Sequence, residues 1–188
     1  MKRRRREPLI LLAMGLGVLV WSVVSPADLM VWALEVTPVI LALLFLVLTY
    51  PNFKLTPILY RLTFVFCIIL MVGGHYTYGG VPAGIWLRDA LDLSRNHFDR
   101  LGHFFQGVVP AIAARELLLR TTALRRGKML FALCVAVALA ISAFYEIFEW
   151  WTAVLIAPQQ GISFLGTQGD VWDAQQDMLM ALIGAIIG

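Results

Sequence analysis

Long apolar runs separated by short polar segments make up most of this chain. A helix needs roughly 20 apolar residues to cross a bilayer, whereas transmembrane strands show alternating segments of about ten. Five continuous runs predict spanning helices and a sixth follows near the end of the sequence: Pro8–Val24, Leu29–Thr49, Pro57–Gly74, His97–Ala114, Met129–Ala157 and Val171–Gly188. The pattern therefore predicts an all-α, polytopic transmembrane helix bundle of about six spans.

A shorter segment between the third and fourth runs has a different pattern. Ile85–Ser94, IWLRDALDLS, mixes apolar and charged positions as an interfacial helix does, and we expect it on the outer leaflet. No repeat or low-complexity tract interrupts the sequence, so residues 1–188 are interpreted as a single integral membrane domain. The sixth run reaches the last residue without a basic flank, which suggests a trimmed C-terminus or a helix that ends at the inner interface.

Composition supports a membrane protein independently of the pattern. The chain has 188 residues, of which 60% are hydrophobic and 14% charged, with a mean hydropathy of +0.80. Average soluble domains are about half apolar and about a quarter charged. A soluble fold of this size could not remove so much apolar surface from water, because small domains leave much of their surface exposed. A soluble globular protein is therefore excluded.

The basic residues predict the orientation. With the N-terminus in the cytoplasm, the outer segments hold only three of the fifteen lysines and arginines: Arg88, Arg95 and Arg100. Basic residues near span ends stay in the cytoplasm. The start, MKRRRREPLILL, resembles a signal peptide without a cleavage site, and we interpret it as an uncleaved anchor. The net charge of +3 thus reflects topology, and no nucleic-acid partner is predicted.

Ionisable residues lie near the predicted outer ends of several runs. The fourth run opens with Asp99 and His103, which are four residues apart and share a helix face. Glu146 and Glu149 are three apart near the end of the fifth run, and His75 ends the third. Because charged groups are costly in lipid, such side chains turn inward and find partners. We expect these faces to meet in one polar cavity in the outer leaflet.

The sixth run contributes a stripe of aspartates. Asp170, Asp173 and Asp177 stand at positions i, i+3 and i+7. Asp170 follows a glycine and fits a helix N-cap, and Asp173 fits the first turn, where the helix dipole favours acids. Asp177 lies too far along the helix for either role, which favours a function for it. Gly184 and Gly188 are four apart, a spacing that suits close helix packing.

Imidazole and carboxylate groups on facing helices can hold a metal ion, and this mixture suits zinc, manganese or iron. The candidate ligands are His75, Asp99, His103, Glu146, Glu149, Asp173 and Asp177. In one arrangement His103, Glu146 and Asp177 bind the ion and Asp99 orients His103. A divalent metal is the cofactor that these residues suggest. Without a metal, clustered carboxylates could supply a general acid, for which the candidates are Asp99, Glu146 and Glu149.

Several functions remain open at this point. The cavity could serve chemistry on a lipid or envelope substrate, with Arg95 or Arg100 holding a phosphate or carboxylate head group. The same intramembrane acids could belong to a proton- or ion-coupled transporter, although no inverted repeat is visible. In a third interpretation the polar groups only lock helices together and a partner protein acts. Asp99 and Arg100 could also be interfacial and solvated. Membrane lipids are the expected surroundings, and the oligomeric state is open.

A set of motifs resembles a known family. The segments concerned are HYTYGGVPAG, NHFDRLGHFFQG, a basic loop with RE, YEIFEWW and FLGTQGDVWDAQQDM. Together they resemble the bacterial YjdF-like inner-membrane proteins over nearly the whole chain. The resemblance implies a multi-pass protein of the bacterial inner membrane and no particular activity. A weaker likeness links the chain to VanZ-like membrane proteins. Their pattern commonly has an Asn after the Asp, which the stretch MLMALIG after Asp177 lacks, so no role is carried over.

Overall fold

Regular structure in this protein is helical wherever the structure, a computed structural model, describes it. The described residues are 2–155 and 165–188, with side chains from residue 6 onward. Seven α-helices lie within these ranges, with a short 3-10 helix, Tyr78–Gly80, before the fourth: α1 (Lys2–Ser22), α2 (Leu29–Thr49), α3 (Pro57–Tyr76), α4 (Pro82–Ala90), α5 (Phe98–Thr121), α6 (Lys128–Leu155) and α7 (Asp173–Ile187). The predicted all-α fold is confirmed.

Three of the described helices, α2, α3 and α6, are long and apolar enough to cross a membrane. The bounds of α2 coincide with the predicted second span, and α3 ends two residues beyond the predicted third. The predicted fifth span ran to Ala157, and its last two residues lie outside the described ones. The helical membrane bundle is confirmed, whereas the number of about six spans stays a prediction.

Several helices extend beyond their apolar runs. α1 begins at Lys2, and Glu7 in its second turn pairs with Arg61 of α3 at 2.5 Å. α5 continues through Thr121, seven residues past the predicted end, where Arg120 Nη1 lies 2.7 Å from Glu116 Oε1 one turn earlier. Apolarity marks the part of a helix suited to lipid, but hydrogen bonding and side-chain pairs one turn apart continue the helix further.

The predicted surface helix is placed earlier in the sequence than expected. Instead of Ile85–Ser94, α4 spans Pro82–Ala90. Pro82 starts the helix because its fixed φ angle suits the first turn, where its missing N–H is not needed. Asp92 has a left-handed φ of 51°, which is incompatible with a continuing helix. The ends of α4 therefore follow from the backbone preferences of Pro82 and Asp92 and not from the charge pattern.

Two compact units divide the chain, Met1–Phe98 and Asp99–Gly188. In the first unit α1 and α2 pack against α3 around a core of Val36, Val39, Cys67 and Met71. The interpretation of the chain as one membrane domain stays a prediction.

Polar and aromatic contacts link the three long helices of the first unit at one end. Trp32 Nε1 donates a hydrogen bond to Ser22 Oγ at 3.0 Å, and Ser22 O lies 3.0 Å from His75 Nδ1. The Trp21 ring lies against the His75 ring with centroids 4.5 Å apart. Residues at the ends of α1 and α3 and in the first turn of α2 are thus joined around Ser22.

The start of α2 has a side-chain cap whose removal should be measurable. Asp28 Oδ1 accepts hydrogen bonds from the backbone N–H groups of Met30 at 2.8 Å and Val31 at 3.0 Å. We expect Asp28→Ala to lower the free energy of unfolding by about 1 kcal/mol, because two amide groups lose their acceptor. Thermal unfolding of the purified protein in detergent would measure this, with Asp89→Ala on α4 as the control. Equal stability of the two variants would contradict the prediction.

In the second unit, α5, α6 and α7 share a core of mostly small side chains. It is built from Ala111, Ala114, Leu130, Cys134, Ala138 and Ala185. Glycines bring α5 and α7 into backbone contact. A Cβ atom at Gly107 would overlap the Ala181 carbonyl, and one at Gly184 would overlap the Phe104 carbonyl. Small residues allow helices to approach this closely, as the glycine spacing in the sixth run suggested.

Candidate metal centre

The first three turns of α5 carry four buried polar side chains. Asp99, His103 and Gln106 follow the spacing of one helix face, and Arg100 lies beside them. All four are at most 8% exposed. Charged side chains are rarely buried without partners. The partners of these four side chains therefore determine the chemistry available at this site.

One ring nitrogen of His103 faces two carboxylates. Nε2 lies 3.5 Å from Asp99 Oδ1 on the same helix and 3.8 Å from Asp177 Oδ1 on α7. One potential ligand atom from each of these three residues lies within 4.8 Å of the others, and all three residues are buried. Nitrogen and carboxylate oxygens at such separations can act as metal ligands.

The other ring nitrogen meets an amide and a third carboxylate. Nδ1 lies 3.0 Å from Gln106 Oε1 and 3.5 Å from Glu146 Oε1 on α6. Because an amide oxygen only accepts hydrogen bonds, Nδ1 carries the proton in the bond to Gln106. In the neutral imidazole this leaves the lone pair on Nε2, which faces Asp99 and Asp177. The Tyr145 ring lies edge-on to the imidazole, with centroids 6.3 Å apart.

Arg100 joins α5 to the start of α7. Its Nη2 atom lies 2.8 Å from Asp173 Oδ1 and 3.4 Å from Asp170 Oδ2, and it donates to Gln176 Oε1 at 3.1 Å. Its Nη1 atom contacts Asp177 Oδ1 and donates to the Asp173 carbonyl at 3.2 Å. A planar guanidinium can bind several acceptors at once in this way. The same Asp177 oxygen therefore faces both Arg100 and His103.

Acidic groups outnumber basic ones in this cluster. Five carboxylates contact Arg100 or His103, so with all of them ionised and His103 protonated the set carries a net charge of −3. The five are Asp99, Asp170, Asp173, Asp177 and Glu146. Burying charge is expensive, and within these contacts Arg100 and His103 offset only part of the negative charge.

The structure brings most of the candidate residues together. Asp99, His103, Glu146, Asp173 and Asp177 form connected contacts within the second unit. Glu149 is buried one turn after Glu146 on α6. His75 belongs to the first unit, where it contacts Ser22 and Trp21. The roles of these residues as ligands or catalytic groups stay predictions.

Three interpretations change with the coordinates. Arg100 is neither solvated nor placed to hold a head group, since it is 6% exposed and bound to aspartates. Asp170 is not the N-cap of α7, because Trp172 takes that position and Asp170 Oδ1 instead accepts from Trp172 N at 2.9 Å. The arrangement in which Glu146 binds the ion and Asp99 orients His103 also changes. Asp99 faces the same ring nitrogen as Asp177, and Glu146 lies on the Nδ1 side.

Two glutamines of the site were missed in the sequence. Gln106 binds His103, and Gln176 links Arg100 to Asp170 through a bond from its Nε2 atom at 3.0 Å. The spacing held a signal for Gln106, which stands three residues after His103 on the same face. Gln176 has no comparable signal, because its partners lie on another helix and in the turn before α7.

Comparison with known proteins places this chain among membrane proteins. Residues 7–188 match a family model described as "Predicted membrane protein (DUF2238)". The chain is 50% identical over 186 residues to the "Inner membrane protein YjdF" of Escherichia coli (strain K12), covering 97% of this chain and 88% of that protein. No solved structure matches it significantly. The resemblance drawn from the motifs is confirmed, and the chain belongs to the DUF2238 family of predicted membrane proteins.

Proposed function

We propose that the second unit of this membrane protein binds a divalent transition-metal ion through Asp99, His103 and Asp177. The observation that carries the proposal is the convergence of three buried ligand atoms within 4.8 Å of one another. An imidazole nitrogen with two carboxylate oxygens suits zinc, manganese or iron.

The distances support a shared ion. Two ligand atoms that each lie about 2.1 Å from a tetrahedral zinc ion are about 3.4 Å apart. The separations of His103 Nε2 from Asp99 Oδ1 and Asp177 Oδ1, 3.5 and 3.8 Å, are close to that value. Neither separation is short enough to make a strong direct hydrogen bond. Small side-chain movements would therefore suffice to bind an ion.

The surrounding groups support the same interpretation. Metal-binding histidines commonly donate their second N–H to an oxygen that fixes the ring, and ligating carboxylates are themselves hydrogen-bonded. Gln106 Oε1 accepts from His103 Nδ1, and Arg100 contacts the carboxylate of Asp177. A divalent ion would also offset the net negative charge of the cluster. Glu146, which like Gln106 lies on the Nδ1 side of His103, would support the ligands without binding the ion.

Three protein ligands leave a coordination position for water or substrate, as in catalytic zinc sites. A metal ion in such a site polarises a phosphoryl or carbonyl oxygen, or makes a bound water a better nucleophile. A polar group of a lipid or envelope molecule is the substrate class that fits a site in a membrane protein. Glu146 and Glu149 are the acids available on α6 to exchange protons with it.

The proposal includes a topology. We infer a multi-pass protein of the bacterial inner membrane with its N-terminus in the cytoplasm. The inner-membrane relative supports the location, and the basic N-terminal run supports the orientation through the preference of lysine and arginine for the cytoplasmic side. In this orientation the start of α5 lies toward the periplasmic side.

Metal content tests the proposal directly. The purified full-length protein, incubated with Zn²⁺, Mn²⁺ or Fe²⁺ and freed of excess ion, should retain about one equivalent of one of these metals, measured by elemental mass spectrometry. His103→Ala should retain at least tenfold less metal. Mutating a residue that only hydrogen-bonds a ligand typically lowers metal affinity 10–100-fold, and loss of a ligand itself should cost at least as much.

Two comparisons make this measurement decisive. His97→Ala removes an exposed imidazole six residues earlier and should bind metal like the wild type. Asp99→Asn keeps the size of a ligand and removes its charge, so it should also lose metal. It tests the site even where His103→Ala is poorly folded. Absence of metal from the wild type, or equal retention by all variants, would overturn the proposal.

A further inference from the structure

A groove in the first unit is lined by apolar side chains of α1, α2 and α3. Its cavity measures about 150 Å³, and its walls include Leu12, Gly15, Leu46, Val47 and Phe64. Gly15 leaves room in the wall, since a Cβ atom there would lie 3.9 Å from the Phe64 ring. The apolar lining suits part of a hydrocarbon chain.

A second cavity continues the groove toward the ends of the same helices. The two cavities share Pro8, Tyr50 and Tyr60, and the second adds Glu7 and Lys54 to its lining. The second cavity is still mostly apolar, and Glu7 and Lys54 are the charged residues in its wall. An apolar groove with charged residues at one end matches a lipid, which has a hydrocarbon chain and a polar head group.

The polar end carries positive charge. Lys54 is exposed, with its Nζ atom 5.5 Å from the centre of the Tyr50 ring. Arg61 is exposed on α3 and pairs with Glu7. Among the described residues at this end, the two basic side chains of Lys54 and Arg61 outnumber the one carboxylate of Glu7.

We propose that this composite groove binds an anionic phospholipid, with an acyl chain along α1 and α3 and the phosphate at Lys54. The apolar part selects a molecule with a chain, and the basic part selects a negative head group. Anionic lipids of the cytoplasmic leaflet attract basic segments beside membrane spans. Given the cytoplasmic N-terminus inferred above, the head group would lie in the inner leaflet. The groove is built from the first unit alone and is independent of the proposed metal site.

Native mass spectrometry of the full-length protein in nonionic detergent can test the head-group preference. The probes are phosphatidylglycerol and phosphatidylethanolamine with identical acyl chains. We expect tighter binding of phosphatidylglycerol, and we expect Lys54→Gln to weaken it by about fivefold, the effect of one basic residue near an anionic surface. Lys128→Gln, the same change at an exposed lysine that starts α6, should leave binding unchanged.

A soluble head group tests the contribution of the chain. Glycerophosphoglycerol, which lacks acyl chains, should fail to displace bound phosphatidylglycerol from the wild type even in large excess. Displacement would show that the site recognises a free phosphate ester and not a lipid. Equal binding of the two phospholipids, or equal losses for the two lysine variants, would overturn the proposal. Lys54 is exposed and lies between α2 and α3, outside both helices.

Discussion

Replacing Arg100 with methionine should lower the free energy of unfolding by about 3–5 kcal/mol, the range for breaking a buried ion pair from one side. Arg100 is 6% exposed and contacts the carboxylates of Asp170, Asp173 and Asp177. Methionine fills much of the same volume but supplies no charge or hydrogen bonds. The aspartates would then be left near one another without their shared cation, which should separate the start of α7 from α5.

Thermal unfolding in detergent, followed by circular dichroism, would measure this loss. A matched control removes an exposed arginine from the same helix. Arg120 pairs with Glu116 one turn away and its side chain is 40% exposed, so Arg120→Gln should change stability by less than about 0.5 kcal/mol. Arg100→Lys should fall between the two, because it keeps the charge and loses the planar fork. A stable Arg100→Met protein would show that the aspartates do not depend on Arg100.

The helices of this protein are largely predictable because lipid imposes a simple requirement. A spanning segment must satisfy its backbone internally and present apolar side chains, so α2 appears in the sequence with its exact bounds. The ends of α1 and α5 were less predictable. Polar turns such as the one with Arg120 and Glu116 continue a helix beyond its apolar part. Hydropathy contains no information about that extension.

The candidate site was predictable in its members more than in its contacts. Periodicity places Asp99 with His103 on one face, and the cost of burying charge predicts that other acids face them. Periodicity does not reveal the rotation of α5 relative to α7. Successive residues on a helix point about 100° apart, so Arg100 could face either water or α7. The contacts show that it faces the aspartates of α7, which sequence reasoning did not predict.

The same limit applies to the division of roles around His103. Asp99, Asp177 and Glu146 all appear in the sequence as acids at a similar predicted depth. In the folded protein Asp99 and Asp177 lie at Nε2 of His103 and Glu146 lies at Nδ1. The ring orientation depends on Gln106, a neutral residue without a charge pattern to single it out. Assigning ligands and orienting groups therefore requires three-dimensional geometry.

Replacing Gly107 with alanine should destabilise the second unit by about 3 kcal/mol, the upper part of the usual range for overpacking a core. The added Cβ would overlap the Ala181 carbonyl, and its other nearest atoms are the Ala181 carbonyl carbon and the Ala185 backbone nitrogen. All three are backbone atoms, so no side chain can rotate away. α7 must move, and Asp177 on the same helix would move away from His103 and Arg100.

For the matched control, Gly17→Ala, we expect a change in stability of the opposite sign. Gly17 lies within α1, where an added Cβ would meet no atom within 4 Å. Alanine inside a helix is more favourable than glycine by roughly 0.5–1 kcal/mol, so Gly17→Ala should raise the melting temperature slightly while Gly107→Ala lowers it. If Gly107→Ala also displaces α7, it should lose bound metal along with stability. Similar melting temperatures for the two variants would mean that α5 and α7 are not held in backbone contact, and that the three ligands of the proposed centre need a different explanation for their convergence.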